Sequence, residues 1–429
     1  MSAEQAAPPP RRRRWRRRLF VFAALLSALS LFALWMLQPK RLVPLILDRT
    51  GQALDLDISA SAEAEARLRG EPQLVVRDLV VRVPGVDTPL LRAERLLLAL
   101  PWSSLRSRGA DPTIERIELD APVLNVPALQ TWLARRPPSE ETKIPTLTDG
   151  LRIVGGRIQN DDWRIEDIAV DLPALHPDRP AHARIRGRYL DAATGEATTR
   201  IPFDLAVALS RPDNDAGVAV VGPLTIERGD WRLPATVKLS GPLHLGEDEI
   251  AMTPATLVAD ARYESGDTAL PFALALQGPL RFDEATWVLA PAGVALRGPE
   301  PMPAFDAQGA LAIGRRLAIS LDGALPQWPA SWPALPSPVS SSTSPLPFAL
   351  RYAGETDLSG VAQLKVRRDA TVFDGTFRLY DVLGWVSAPP GGAPLPPLDG
   401  TLISPRIDLS GATLEGVEVV LDDEGVPSR

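Results

Sequence analysis

The hydrophobic pattern of the chain changes its period after residue 41, and the part before that point predicts a membrane helix. The stretch from Leu19 to Leu37 (LFVFAALLSALSLFALWML) contains no charged residue. At about 1.5 Å of rise per residue, a helix of this length reaches roughly 28 Å, close to the hydrocarbon thickness of a bilayer. The residues expected to anchor this helix are Leu19, Phe22, Leu25, Leu26, Leu29, Phe32, Trp35 and Leu37.

The basic residues around this stretch predict its orientation. Arginines at 11–14 and 16–18 precede it, whereas only Lys40 and Arg41 follow closely. Positively charged flanks stay in the cytoplasm. We therefore expect residues 1–18 to be a cytoplasmic tail and the rest of the chain to lie across the membrane.

A cleaved signal peptide is the alternative interpretation, since it also combines a basic start with an apolar middle. Ala28 and Ser30 would then form the small-residue cleavage site. Cleavage there would leave Leu31 to Leu37 as an apolar N-terminus, and for this reason we favour the uncleaved anchor.

From Leu54 onward apolar residues recur at every second position, which is typical of half-buried strands. Leu90 to Leu100 fits a helix or a strand, and we favour a strand because another extended run follows it. Two short helices are expected to interrupt the strands. They are Leu42 to Arg49, with Gly51 as a left-handed cap, and Val126 to Arg136.

Short strands and turns alternate from Leu151 to the C-terminus. Gly-Pro occurs at 222, 241, 278 and 298, which suits a two-strand unit of roughly 19 residues. Similar segments at 201 (IPFDLAVAL), 270 (LPFALALQG) and 346 (LPFALRYAG) indicate divergent hairpin duplication, with chance recurrence as the alternative. The Pro- and Ser-rich run 325–347 predicts a long exposed loop between a β-rich region, 151–324, and closing strands, 348–429.

Composition excludes several classes of function. The first 41 residues hold nine of the 46 basic and one of the 53 acidic residues, so the remainder carries a net charge of −15. Such a net negative charge argues against nucleic acid as a partner, because nucleic-acid-binding proteins carry a positively charged surface. The absence of cysteine excludes disulfides, thiol nucleophiles and cysteine metal sites.

No catalytic or cofactor-binding motif is present. The histidines, His176, His182 and His244, stand outside any metal-ligand spacing, and we interpret the first two as solvated loop residues. The carboxylates are scattered, and no nucleophile elbow, phosphate loop or dinucleotide fingerprint occurs. We therefore expect no enzyme, no metal and no cofactor.

The strands offer apolar faces instead of chemistry. In IPFDLAVALS one face carries Phe203, Leu205, Val207 and Leu209, and in LPFALALQG it carries Phe272, Leu274 and Leu276. Such faces either form the core of an ordinary β-sandwich or remain open as a lipid-binding groove. The period of two is compatible with both arrangements.

The order of these elements resembles the N-terminal module of AsmA-like envelope proteins. The resemblance rests on the apolar anchor, Thr50-Gly51, the strand near Ile58, and three motifs that follow. These are P-x-L-x-V-x-D-L-x-V (Pro72 to Val81), LLRAERLLLAL and IERIELDAPVLNV (Ile114 to Val126). It covers residues 19–126, and the run Gly400 to Leu421 is similar to closing strands of that family.

The resemblance implies a mainly β protein with an N-terminal transmembrane helix, 19–37, and an AsmA-like module, 42–134. The module would continue into an elongated, curled antiparallel β-sheet, shaped like a taco, with an apolar groove and a few short helices. As in TamB-type lipid-transport bridges, the groove would carry phospholipid or another acyl-chain lipid. The protein would be a single-pass bacterial inner-membrane protein with its bulk in the periplasm.

The implied role is phospholipid transport to the outer membrane, or assembly of that membrane, with an outer-membrane or periplasmic protein as partner. The alternative from another class is a membrane-tethered envelope scaffold. Its β-domains would have closed cores and would bind other envelope proteins without carrying lipid.

Overall fold

About two thirds of the described chain is β-strand in the computed structural model, and nearly all of these strands belong to a single large sheet. The structure describes residues 47–49, 51–52, 54–61, 65–67, 70–106, 113–135, 144–191, 198–246, 249–283, 285–332, 339–340, 342–386, 397–409 and 412–423. Within these ranges there are 24 strands, of which 22 belong to one sheet and two form a small separate pair. The expected mainly β fold, a largely antiparallel sheet with a few short helices, is confirmed.

The first nine strands lie between Asp57 and Gln159. They are β1 (Asp57–Ser59), β2 (Glu65–Arg67), β3 (Gln73–Arg82), β4 (Leu91–Ala99), β5 (Thr113–Ile114), β6 (Arg116–Asp120), β7 (Val123–Asn125), β8 (Thr146–Leu147) and β9 (Leu151–Gln159). The favoured assignment of Leu90 to Leu100 as a strand is confirmed by β4.

Longer strands follow in the middle of the chain. They are β10 (Trp163–Leu172), β11 (Ala181–Asp191), β12 (Arg200–Leu209), β13 (Asp215–Arg228), β14 (Trp231–Leu245), β15 (Ile250–Ser265), β16 (Thr268–Asp283) and β17 (Thr286–Arg297). The remaining strands are β18 (Phe305–Ile313), β19 (Leu317–Leu325), β20 (Leu346–Gly354), β21 (Val361–Arg368), β22 (Thr371–Arg378), β23 (Leu398–Leu409) and β24 (Ala412–Leu421).

The strands of the large sheet follow one another in space as they do in sequence. β1 and β2 share the position beside β3, β3 pairs with β4, and β6 and β7 share the next position. β6 and β7 then pair in parallel with β9, and every later strand up to β24 pairs antiparallel with its predecessor. The 22 strands therefore occupy 20 positions, and at about 4.8 Å per strand the sheet is roughly 90 Å wide along its contour.

Three named helices accompany the sheet: α1 (Trp102–Arg106), α2 (Val126–Ala134) and α3 (Leu379–Val386). The predicted helix at Val126 is α2. Its N-cap is Asn125, whose side-chain oxygen accepts a hydrogen bond from the Ala128 N–H at 2.9 Å. This contact satisfies one of the free N–H groups of the first turn and explains why the helix begins there.

The predicted role of Gly51 is wrong. Gly51 and Gln52 are themselves helical, so Gly51 is not a cap beyond the end of the helix. The left-handed residue is Asp55, with a φ of 54°, and the Leu56 N–H bonds back to the Gly51 carbonyl at 2.9 Å. Gly51 is required for space, since a Cβ there would lie 2.4 Å from the Leu56 carbonyl oxygen.

A line of proline-containing bulges crosses four neighbouring strands, β14 to β17. The register shifts between Ser240 and Leu243, between Met252 and Ala255, between Gln277 and Leu280, and between Leu289 and Ala292. Proline has no N–H for the ladder and is accommodated in a sheet at bulges, which bend the strand. Because the four bulges lie at one level, they form a common crease.

The regular Gly-Pro unit expected from the sequence does not correspond to two strands. Gly222 lies in β13 and Gly241 in the next strand, β14, so the first interval of 19 residues covers one strand and a turn. The reason is strand length: β13 to β16 are 14 to 16 residues long, so a single strand with its turn fills the interval.

The described part of the predicted loop 325–347 is packed more closely than expected. Pro329 is buried, and the Trp332 indole N–H donates to the Pro301 carbonyl at 2.8 Å. Trp328 and Trp332 meet edge to face with ring centroids 4.8 Å apart. Aromatic contacts of this kind hold a proline-rich segment in place without regular structure.

The stretch from Leu19 to Leu37, with all its expected anchor residues, lies outside the described residues. Within the ranges that the structure describes, no helix is long and apolar enough to cross a membrane. The membrane anchor stays a prediction from the sequence.

Candidate functional site

The two sets of apolar residues selected from the sequence lie on the same face of the sheet. Residues that oppose each other on neighbouring strands point to one face, so the register traces a row from one set to the other. The first row is Phe203, Leu224, Ala235, Ala261 and Phe272. A second row is Val207, Val220, Leu239, Leu257 and Leu276.

The same face continues in both directions with few interruptions. Toward the N-terminus the row consists of Leu205, Ile185, Val170, Ile153, Leu119, Leu96 and Val76. Toward the C-terminus it consists of Leu276, Val294, Ala307, Gly323, Phe348, Val366, Phe373, Leu402 and Val419. We call this side of the sheet, from β3 to β24, the apolar face.

The opposite side carries paired charges and is called the polar face. Arg184 donates two hydrogen bonds to Asp204, at 2.8 and 2.7 Å. The hydrogen bond and charge of Arg184 hold the pKa of the Asp204 carboxyl below its ordinary value. Further pairs of this kind are Arg297–Asp306, Arg351–Asp322 and Lys365–Asp374.

Many large side chains of the apolar face are only half-buried in the middle of the sheet, whereas Val218, Val294 and Leu321 are buried. All seven residues selected from the sequence, Phe203, Leu205, Val207, Leu209, Phe272, Leu274 and Leu276, retain intermediate exposure. The small residues between them, such as Ala235 and Ala261, are buried. Neighbouring strands therefore cover the base of the face but not the tips of its large side chains.

The hydrophobic clusters of the middle strands contain only lateral neighbours. One groups Val218, Met252 and Ala255 with residues of β12 to β16, and the next groups Leu289, Ala292, Val294, Ala307 and Leu321 with residues of β16 to β20. The core of a sandwich would combine strands from two facing layers. Neither cluster does so among the described residues.

Helices cover the apolar face at its two ends. At the N-terminal end, α2 contributes Ala128, Leu129 and Trp132 to the cluster around Val76 and Leu79. At the C-terminal end, Leu379 and Val382 of α3 pack against the cluster that contains Tyr352 and Phe377. In the part of the chain that the structure describes, the face between these ends has no helix over it.

From β9 onward the turns fall into two series, because successive strands run in opposite directions. Turns that follow odd-numbered strands lie at one end of the strands, which we call the odd rim. Turns that follow even-numbered strands lie at the other end, the even rim.

Among the residues that the structure describes, two ion pairs connect the odd rim with the even rim. Arg228, at the end of β13, lies 3.0 Å from Asp357 in the turn after β20. Asp162, in the turn after β9, lies 3.1 Å from Arg315 in the turn after β18. Neither pairing was predicted from the sequence, because partners 129 positions apart, such as Arg228 and Asp357, leave no periodic signal.

The structure brings no group of potential metal ligands together within the described residues. His182 was expected in a loop, and this prediction is wrong. It lies in β11 opposite Ala208, on the polar face. His244 contacts Asp215, whose hydrogen bond and charge raise the pKa of the exposed imidazole.

No protein-family model, curated protein or solved structure matches the chain. The geometry of the apolar face is therefore the principal basis for a functional proposal.

Proposed function

We propose that this protein shields acyl chains of phospholipid in a curled, open groove formed by the apolar face. The observation that carries the proposal is an apolar face that continues across one sheet with few interruptions and leaves many of its large side chains half-exposed. The groove supports phospholipid transport to the outer membrane or assembly of that membrane, and it requires no catalytic residue. The helix predicted at residues 19–37 anchors the chain in the inner membrane, as the resemblance to AsmA-like proteins implies.

The rim contacts support a curled sheet. In a flat sheet, β13 and β20 would be separated by seven inter-strand spacings, which is about 34 Å. Arg228 and Asp357, at the ends of these strands, are nevertheless in hydrogen-bond contact. Arg228 alternates with Leu224 and Ile226 and so belongs to the apolar face, which favours a curl with that face inside.

Aromatic pairs along the odd rim support a boundary between acyl chains and water. Trp163 stacks on Tyr189, and Trp231 lies against Tyr263, each pair with ring centroids 6.1 Å apart. All four residues lie near strand ends that form the odd rim. Tyr and Trp favour such boundaries, because one part of the side chain is apolar and the other forms hydrogen bonds.

The free energy of exposing acyl chains explains why such a groove is useful. Each CH₂ in water costs about 0.8 kcal/mol, so one 16-carbon chain crossing unshielded costs roughly 13 kcal/mol. Contact with half-exposed leucine and phenylalanine side chains removes most of this barrier. No covalent chemistry is needed for that effect.

Photocrosslinking residues at Phe203, Leu205, Phe272 and Leu274 are expected to capture phospholipid in cells. The matched controls are crosslinkers at Ala206 and Ala273, which lie on the same strands but on the polar face. Captured lipid is identified by mass spectrometry after ultraviolet irradiation. Because alternate residues of a strand point to opposite faces, the control positions are expected to capture little lipid.

Capture of protein alone at the four positions would contradict the groove and favour a scaffold with closed β-domains. Equal lipid capture on both faces would show non-specific contact with membranes, which also contradicts the proposal.

A further inference from the structure

We infer that the Arg228–Asp357 ion pair is a latch between the two rims, which must open before a lipid tail can enter the groove from the side. The inference rests on the proposed function, since it concerns admission to the same groove. It starts from the position of the pair: the contact bridges the edges of the apolar face over β13 to β20.

Further hydrogen bonds hold each of the two charged side chains of the latch on its own rim. Arg228 also donates a hydrogen bond to the Thr199 hydroxyl at 3.1 Å, which holds the guanidinium on the odd rim. On the even rim, Asp357 accepts hydrogen bonds from the backbone N–H and the hydroxyl of Ser359, at 2.9 and 2.6 Å. Both charged groups are therefore held in position for the contact.

The Arg228–Asp357 pair is less exposed to solvent than the second pair that connects the rims. The side chains of Arg228 and Asp357 are only 20% and 21% exposed, whereas those of Arg315 and Asp162 are 89% and 61% exposed. Burial alone would raise the pKa of the Asp357 carboxyl, but hydrogen bonds from Ser359 and the charge of Arg228 outweigh it and lower that pKa. The carboxylate is thus ionised at neutral pH and available for the pair.

Rims that are held together by a single ion pair can separate and close again. A single ion pair with one hydrogen bond forms the contact, and no other hydrogen bond or ion pair described for the two turns crosses between the rims at this point. Its rupture separates the rims without breaking any strand pairing of the sheet. The second pair, Arg315–Asp162, is more exposed and is expected to open more easily.

The test locks the latch by a reversible chemical bridge. The full-length chain carries a photocrosslinking residue at Phe272 together with Arg228→Cys and Asp357→Cys. A short bifunctional methanethiosulfonate reagent bridges the two thiols, and no other thiol competes, because the chain has no cysteine. The probe is a tail-labelled fluorescent phosphatidylethanolamine in vesicles of phosphatidylethanolamine and phosphatidylglycerol.

Bridging is expected to reduce lipid capture at Phe272 about tenfold, and reduction of the bridge is expected to restore it. Conversely, Arg228→Ala without any bridge is expected to raise the initial rate of capture about two- to fivefold, because the closed state loses its ion pair.

The matched control is the pair Arg232→Cys and Glu264→Cys, which oppose each other on β14 and β15. A bridge there joins neighbouring strands and leaves the rims free, so capture is expected to remain unchanged. Equal capture by the bridged and reduced latch variants would overturn the latch and leave the groove intact. Loss of lipid capture on formation of the control bridge would also overturn the latch. Absence of lipid capture in the unbridged wild-type chain would overturn both the latch and the groove.

Discussion

Glutamate in place of Leu274 or Leu276 is expected to abolish lipid capture by the groove while the protein remains folded. Both side chains lie on the apolar face of β16 and are half-buried. A carboxylate at either position would have to lose its water to contact an acyl chain, which costs several kcal/mol per ion. Because the tips of these side chains reach solvent, we expect the free energy of unfolding to fall by only about 1–2 kcal/mol.

The measurement combines lipid capture at Phe203 with thermal unfolding followed by circular dichroism. Ala273→Glu is the matched control, since it adds the same charge one residue away on the polar face, beside Arg297. Loss of the folded state in Leu274→Glu would indicate a closed core. Normal lipid capture in a folded Leu274→Glu variant would exclude this part of the face from the lipid path.

Alanine in place of Gly278 is expected to destabilise the protein by about 3 kcal/mol or more. A Cβ at this position would lie 2.2 Å from the Pro291 carbonyl oxygen on the neighbouring strand. Neither group can move away freely, because both belong to the backbone at the crease formed by the bulges of β14 to β17. The Gly278 φ of 155° adds to the cost for a residue with a side chain.

Gly293→Ala provides the control for this effect. Gly293 opposes Gln277 in the same pair of strands, but a Cβ there would lie 3.6 Å from the nearest atom, the Gln277 carbonyl oxygen, which is an ordinary contact. We expect Gly293→Ala to change the free energy of unfolding of the protein by no more than about 0.5 kcal/mol. The two variants are compared by their midpoints in urea, and equal midpoints would show that the crease does not depend on Gly278.

The crease connects local sequence to the proposed groove. Gly241 also approaches a proline carbonyl, since a Cβ there would lie 2.3 Å from the Pro254 oxygen. The glycines therefore allow neighbouring strands to approach where the prolines interrupt the ladder. Bending along this line is a local cause for the curl that we propose.

The sequence alone was sufficient to predict the strands that contain Phe203 and Phe272, and to separate the two faces of each strand. The alternation in IPFDLAVALS and LPFALALQG placed Phe203 and Phe272 on apolar faces, and the register now shows them in one row. It also predicted the helix α2, whose signals lie within about ten residues. Side-chain direction in a strand depends only on the nearest neighbours in the chain, so it can be read without tertiary information.

Residues in the strands between these segments were not identified from the sequence. Ala235 and Ala261 complete the row from Phe203 to Phe272, but alanine gives a weak apolar signal. The bulges at Pro242 and Pro254 also shift the alternation within β14 and β15. For both reasons, the alternation within a single strand does not identify the apolar face in β14 and β15.

Only the tertiary structure decided that the strands form one sheet, that helices cover both ends of its apolar face, and that Arg228 meets Asp357. Pattern alone allowed separate sandwiches as well as one continuous sheet, because both satisfy the same alternation. The position of one rim relative to the other depends on twist and bulges accumulated over seven strands. The relative position of the rims is therefore a property of the assembled sheet, whereas the face on which each side chain lies is a property of its own strand.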